Sequence, residues 1–172
     1  MVAAALASEP SCGDVRVVAI DGPSGSGKST LADAVASDLD CPIMRLDLLY
    51  PGWGGLVEGV RLLHDQVLVP LSQGRRAHYR AWDWSAGGWG AERHLDPAPI
   101  LIVEGCGSST GAAGEFAAVR VWLDAPSDLR RMRALARDGE TYAPWWETWA
   151  AQERALFDAD RTRERADLHL GG

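Results

Sequence analysis

The sequence predicts an α/β domain of three layers: a five-stranded parallel sheet with helices on both faces. Three observations carry this. Short runs of β-branched and aliphatic residues alternate with stretches of helical spacing along the whole chain. The first such run leads straight into a Gly/Ser loop with the spacing of a phosphate cradle. The length of 172 residues, 47% of them apolar and 24% charged, supports one domain with its own core and leaves no room for a second.

The elements follow in order. Val2 to Ala7 is small and apolar but has no basic flank, so it is a poor leader peptide, and residues 1–13 are expected to form a flexible tail. Val15-Arg16-Val17-Val18-Ala19-Ile20 reads as a buried strand, bounded by Gly13-Asp14 and Asp21-Gly22. Ser29 to Leu39 has apolar residues at Leu31, Val35 and Leu39, a helical spacing. Pro42 to Leu46 is a second strand ending at Asp47. Leu56 to Leu71 reads as a helix, with Leu56, Val60, Leu63 and Val67 on one face and Gly74 past its end. From Arg75 to Pro99 the pattern breaks up into an Arg-, Trp- and Gly-rich stretch, expected to be a functional loop or an excursion from the core. Ile100 to Val103 is a third strand, ending in Glu104-Gly105. Ala118 to Leu123 is a fourth, closed by Asp124-Ala125-Pro126. Ser127 or Asp128 caps a helix running to about Arg137. Trp145 to Phe157 is a further helix and Ala166 to Leu170 a final strand. Such alternation argues for parallel strands joined by helical crossovers.

Composition excludes several classes of function. The net charge is −7, with 17 basic residues against 24 acidic ones, so the basic stripe of a nucleic-acid surface is not expected. No apolar run approaches the ~18 residues of a membrane span. Cys12, Cys41 and Cys106 lack any metal-ligand spacing and suit a reducing, cytoplasmic setting. Sixteen of the basic residues are Arg, and the single Lys is Lys28.

That lysine lies in Gly22-Pro23-Ser24-Gly25-Ser26-Gly27-Lys28-Ser29-Thr30, which matches the phosphate-binding pattern G-x-x-x-x-G-K-[ST]. The glycines let backbone N–H groups turn inward around a phosphate, and the following helix adds the positive end of its dipole. Lys28 supplies a compact charge where a planar Arg fork fits poorly. Ser29 offers its hydroxyl to Mg²⁺. With no second Lys, the chain lacks the Asn-Lys-x-Asp signature of guanine recognition, and it also lacks the Ser-Gly-Gly-Gln signature of transporter ATPases. Small phosphotransferases remain.

Ligands of parallel sheets sit beyond the carboxyl ends of the strands. Asp47 and Glu104 stand there, and phosphoryl transfer uses one carboxylate to take the acceptor's proton and another to hold the metal. Arg130, Arg133 and Arg137 share one face of the helix after the fourth strand, while Arg131 points elsewhere. A stripe facing the phosphate loop would neutralise charge on the transferred phosphoryl. Eight Trp are many for this length. Trp82-Asp83-Trp84 and Trp89 lie in the irregular segment, and Trp145, Trp146 and Trp149 begin the late helix. Aromatic walls with one carboxylate suit an acceptor with a planar or sugar-like body; His78, Tyr79 and Arg80 are further candidates for that cleft.

Gly22 to Thr30, Asp47-Leu48-Leu49-Tyr50, Val103-Glu104-Gly105 and Arg130 to Asp138 occur in the order found in the uridine kinase and phosphoribulokinase-like group. The chain resembles that group over about two-thirds of its length. The resemblance implies the nucleoside and nucleoside-monophosphate kinase fold with strand order 2-3-1-4-5. It also implies ATP and Mg²⁺ as cofactors, Asp47 as catalytic base beside Tyr50, and Glu104 as the acid ending the third strand. Trp82-Asp83-Trp84 is similar to that group's Tyr-Asp-Phe-like acceptor element. The chain departs from the group after Gly139, where further lid arginines give way to Glu140-Thr141-Tyr142. The expectation is a small-molecule kinase acting on a nucleoside- or sugar-like hydroxyl. A nucleoside-monophosphate kinase, with Arg61, Arg75, Arg76 and Arg80 gripping an acceptor phosphate, and a nucleotide-binding module without an acceptor stay open.

Overall fold

Apolar runs without alternation build strands covered on both faces, and the computed structural model, which describes residues 1–171, has them at the centre of its sheet. The strands are β1 (Arg16–Asp21), β2 (Ile43–Arg45), β3 (Ala77–Asp83), β4 (Gly88–Leu95), β5 (Ile100–Glu104), β6 (Ala117–Leu123) and β7 (Leu168–Leu170). Five of them form one parallel sheet in the order β2-β5-β1-β6-β7. The labels differ from the expected 2-3-1-4-5 because β3 and β4, a separate antiparallel pair, intervene in the chain between β2 and β5. Along β1 successive side chains enter opposite cores: Val17 packs with Leu101 and Val103, while Val18 and Ile20 pack with Ile102, Val119 and Val121.

The helices are α1 (Val2–Ala7), α2 (Lys28–Leu39), α3 (Leu56–Leu62), α4 (Val69–Ser72), α5 (Gly111–Gly114), α6 (Ser127–Tyr142) and α7 (Trp146–Asp160). Residues 2–7, expected within a flexible tail, instead form α1, because Ala5 is fully buried in the cluster of Ala32, Val35 and Val119. The expected helix from Leu56 to Leu71 is helical throughout, but Leu63–Leu68 is wound as a π-helix between α3 and α4. It runs into Pro70, which has no N–H to return to the preceding turn.

Of the two expectations for Arg75 to Pro99, a functional loop or an excursion from the core, the segment takes the second, as the β3-β4 hairpin outside the main sheet. Ala77, Tyr79 and Ala81 alternate inward along β3, with His78 and Arg80 outward, a strand pattern hidden under charged and aromatic residues. Among the described residues no helix is long and apolar enough to cross a membrane.

Candidate functional site

The phosphate loop begins where β1 ends. Asp21 is fully buried, and its carboxylate accepts the N–H groups of Gly22 at 2.7 Å, Gly107 at 2.8 Å and Ser109 at 2.8 Å, and the Ser109 hydroxyl at 2.9 Å. Burial raises its pKa against these four donors. The carboxylate thereby pins the loop's first residue to the turn after β5. Gly22 and Gly25 have φ of +137° and +79°, and a Cβ at either would run into a backbone carbonyl, of Leu123 and Arg130 respectively. Gly27 caps α2, and Lys28 is that helix's first residue. The Lys28 side chain is buried, with Nζ donating to the Pro23 carbonyl at 2.9 Å and 3.5 Å from Cys106 Sγ. Burial opposes its charge, but the nearby carboxylates of Glu153, Glu104 and Asp21 outweigh it and raise the pKa. Ser26 Oγ is buried and has no hydrogen-bond partner among the described residues.

A second carboxylate holds the loop from behind. Glu153 on α7 is 3% exposed, and its Oε1 accepts the Ser24 N–H at 2.7 Å, Trp149 Nε1 at 2.8 Å and Cys106 Sγ at 3.0 Å. Burial, then the Glu153 charge, push the Cys106 thiol well above its usual range.

At the carboxyl ends of β2 and β5 stand the two predicted acids. Glu104 is buried, and its Oε1 accepts Ser29 Oγ and Arg45 Nη1, each at 3.2 Å. Burial and then the Asp47 charge raise its pKa, with Lys28 and Arg45 opposing. Asp47 is exposed in a single 3-10 turn after β2, where its carbonyl accepts Trp84 Nε1 at 2.9 Å. A hydroxyl facing a carboxylate is the hard-oxygen donor set that suits Mg²⁺, which takes its remaining ligands from water and phosphate.

These groups line one cleft of 770 Å³. Ser24, Gly25, Gly27, Lys28, Ser29 and Thr30 form its floor, with Asp47, Tyr50 and Glu104 beside them. Arg133 and Arg137 descend from α6 onto it. Arg137 also pairs with Asp138 at 2.7 Å, a bond that raises its pKa. Arg130 instead grips the loop's outside, donating to the Ser24 carbonyl at 3.3 Å and the Ala125 carbonyl at 3.1 Å. The far wall is aromatic: Trp53 stacks on Tyr142 at 4.7 Å, tilts against Trp84 at 4.5 Å and meets Trp149 edge-on at 6.1 Å. Tyr50 is buried edge-on to Trp149, its hydroxyl donating to the Cys106 carbonyl at 2.8 Å.

Three expected acceptor residues are elsewhere. Arg80 lies on the hairpin's outer face, bonded to the Trp89 and Gly90 carbonyls. Trp82 packs edge-on against Trp89 there, and Asp83 caps the turn by accepting the Ser85 and Ala86 N–H groups. Of Trp82-Asp83-Trp84, only Trp84, past the end of β3, lines the cleft. Arg61, Arg75 and Arg76 are likewise engaged outside it, with Glu58 and Asp65, with Gln73, and with Asp96. Sequence reading missed Arg45, Trp53, Cys106, Tyr142 and Glu153. The i,i+4 spacing of Trp149 and Glu153 is the one local signal that joins a missed residue to a noticed one.

A family model described as cytidylate kinase matches residues 18–80. No curated protein matches the sequence. Among solved structures, a possible uridine kinase from Bacillus stearothermophilus is 19% identical, with 90% of this chain and 88% of that one covered and a TM-score of 0.65. A putative fructose transport system kinase from a Silicibacter species is also 19% identical, covering 90% and 89% at a TM-score of 0.54. Shikimate kinase from Acinetobacter baumannii is 16% identical, covering 91% and 83%, again at 0.54. The chain is built on the fold of these P-loop kinases.

Proposed function

We propose that the protein transfers the γ-phosphoryl of ATP to a hydroxyl of a small, unphosphorylated molecule with a planar or sugar-like body. The observation that carries this reading is that the phosphate loop, Asp47 and an aromatic wall all line one cleft. Lys28 and the inward N–H groups of the loop take the β- and γ-phosphates. Ser29 and Glu104 hold Mg²⁺, which supplies charge to the transferred phosphoryl. Asp47 accepts the acceptor's proton, and Tyr50, Trp53 and Trp84 bound its ring. Arg133 and Arg137 meet the charge that spreads over the phosphoryl oxygens. The engagement of Arg61, Arg75, Arg76 and Arg80 outside the cleft favours an acceptor without a phosphate over a nucleoside monophosphate. The test is ADP release measured with and without a panel of nucleosides, sugars and nucleoside monophosphates, with Lys28→Ala as control. Turnover stimulated by a hydroxyl acceptor and lost in Lys28→Ala supports the kinase. Turnover indifferent to every acceptor, or unchanged in Lys28→Ala, refutes it.

A further inference from the structure

Arg45 has no part in that scheme, yet it is seated inside the candidate metal site. It is the last residue of β2 and pairs in register with Glu104, the last residue of β5, so the sheet itself sets the two side chains beside each other. Its guanidinium forks: Nη1 donates to Glu104 Oε1 at 3.2 Å and Nη2 to Asp33 Oδ1 at 2.5 Å. Asp33 lies one turn beyond Ser29 on the same face of α2. The Glu104 oxygen that accepts the Ser29 hydroxyl is therefore also the oxygen that faces a fixed positive charge. Burial works against that charge, but Asp33 and Glu104 outweigh it and raise the Arg45 pKa, so the guanidinium stays charged.

We propose that Arg45 is a built-in counter-ion that masks Glu104 and must yield it, falling back on Asp33, before a divalent cation can bind. This rests on the reading that Ser29 and Glu104 hold the metal. A bare cation gains little from a carboxylate already matched by a guanidinium, whereas a cation arriving with a triphosphate brings anionic oxygens of its own. Arg45 thus sets the metal affinity of the site and favours metal–nucleotide over free metal. The planar fork is what allows one side chain to hold two carboxylates and release one of them. Asp33 is 60% exposed at its side chain, so the pair that remains after the exchange stands at the rim, clear of the cleft floor.

The probe is Mn²⁺, whose free-ion paramagnetic resonance signal falls on binding, titrated into the nucleotide-free protein and into its ADP complex. Arg45→Gln should bind Mn²⁺ roughly tenfold more tightly than the parent, the scale of one unit charge acting on a nearby divalent ion in a partly solvated site. The gain should vanish in the double variant Arg45→Gln/Glu104→Gln. Equal or weaker binding in Arg45→Gln overturns the proposal, and a loss in Glu104→Gln alone then still leaves the metal reading standing. Unchanged Mn²⁺–ADP binding in Glu104→Gln removes the metal reading and the proposal with it. Should Arg45→Gln fail to fold, Asp33→Asn carries the test. Without its fallback Arg45 holds Glu104 more firmly, so Mn²⁺ binding weakens; unchanged or tighter binding overturns the proposal.

Discussion

Glu153→Ala removes the acceptor shared by the Ser24 N–H, the Trp149 indole and the Cys106 thiol. All of these groups are buried, so each donor loses its partner in a site of low solvent access. Two good donors left unsatisfied cost about 1–3 kcal/mol each, and the thiol adds little. Losing one partner from a buried charged network falls in the same range, so the variant should lose roughly 3–5 kcal/mol of stability. For a chain of this size that is a fall in Tm of about 6–20 °C. Glu153→Gln keeps a carbonyl oxygen for the same donors and should lose roughly 1–2 kcal/mol. Urea unfolding followed by tryptophan fluorescence measures both variants. A loss below about 1 kcal/mol in Glu153→Ala, or equal losses in the two, would mean that this carboxylate does not hold the loop, and the reasoning would fail.

Three further outcomes are expected. Asp47→Asn keeps the side chain's shape and removes its basicity, so kcat should fall ~10²–10⁴-fold while ATP affinity changes little; parallel loss of ATP binding, measured by calorimetry, would make Asp47 a metal ligand or a structural residue instead. Arg133→Ala and Arg137→Ala should lower kcat more than they raise the KM for ATP, since both groups act on transition-state charge; wild-type kcat in both would reduce the stripe to a solvated face. Iodoacetamide should label native protein at half-exposed Cys41 first, because Cys12 is buried with its pKa pushed up to about 11 and Cys106 is buried beside Glu153; mass spectrometry showing early label on Cys12 or Cys106 would contradict the packing.

Much of the fold was legible because its signals are local. Val17 to Ile20 and Ile100 to Val103 are apolar on both faces, the pattern of a strand covered on both sides. Gly22 to Thr30 encodes its own geometry, since two of its glycines stand where a Cβ meets a carbonyl. Position beyond a strand end was enough to single out Asp47 and Glu104. The hairpin was not legible, because half-buried Trp82 and the exposed Arg80, Glu92 and His94 conceal the alternation of Ala77, Tyr79 and Ala81. Trp82 and Asp83 stand outside the cleft because the hairpin itself uses them, Trp82 against Trp89 and Asp83 as acceptor for the Ser85 N–H in the turn.

By itself, then, the sequence determined the phosphate loop, the central strands and the two acids, because each depends on residues adjacent in the chain. The tertiary structure alone decided what surrounds them. Glu153 reaches Ser24 across 129 positions, and Trp53 meets Tyr142 and Trp149 only when α6 and α7 fold over the turn after β2. Arg45 faces Glu104 because of strand register, which a separation of 59 positions does not reveal. Burial then does the rest: a carboxylate such as Asp21 or Glu153 acquires its role from the donors packed around it, and those donors are assembled by the fold.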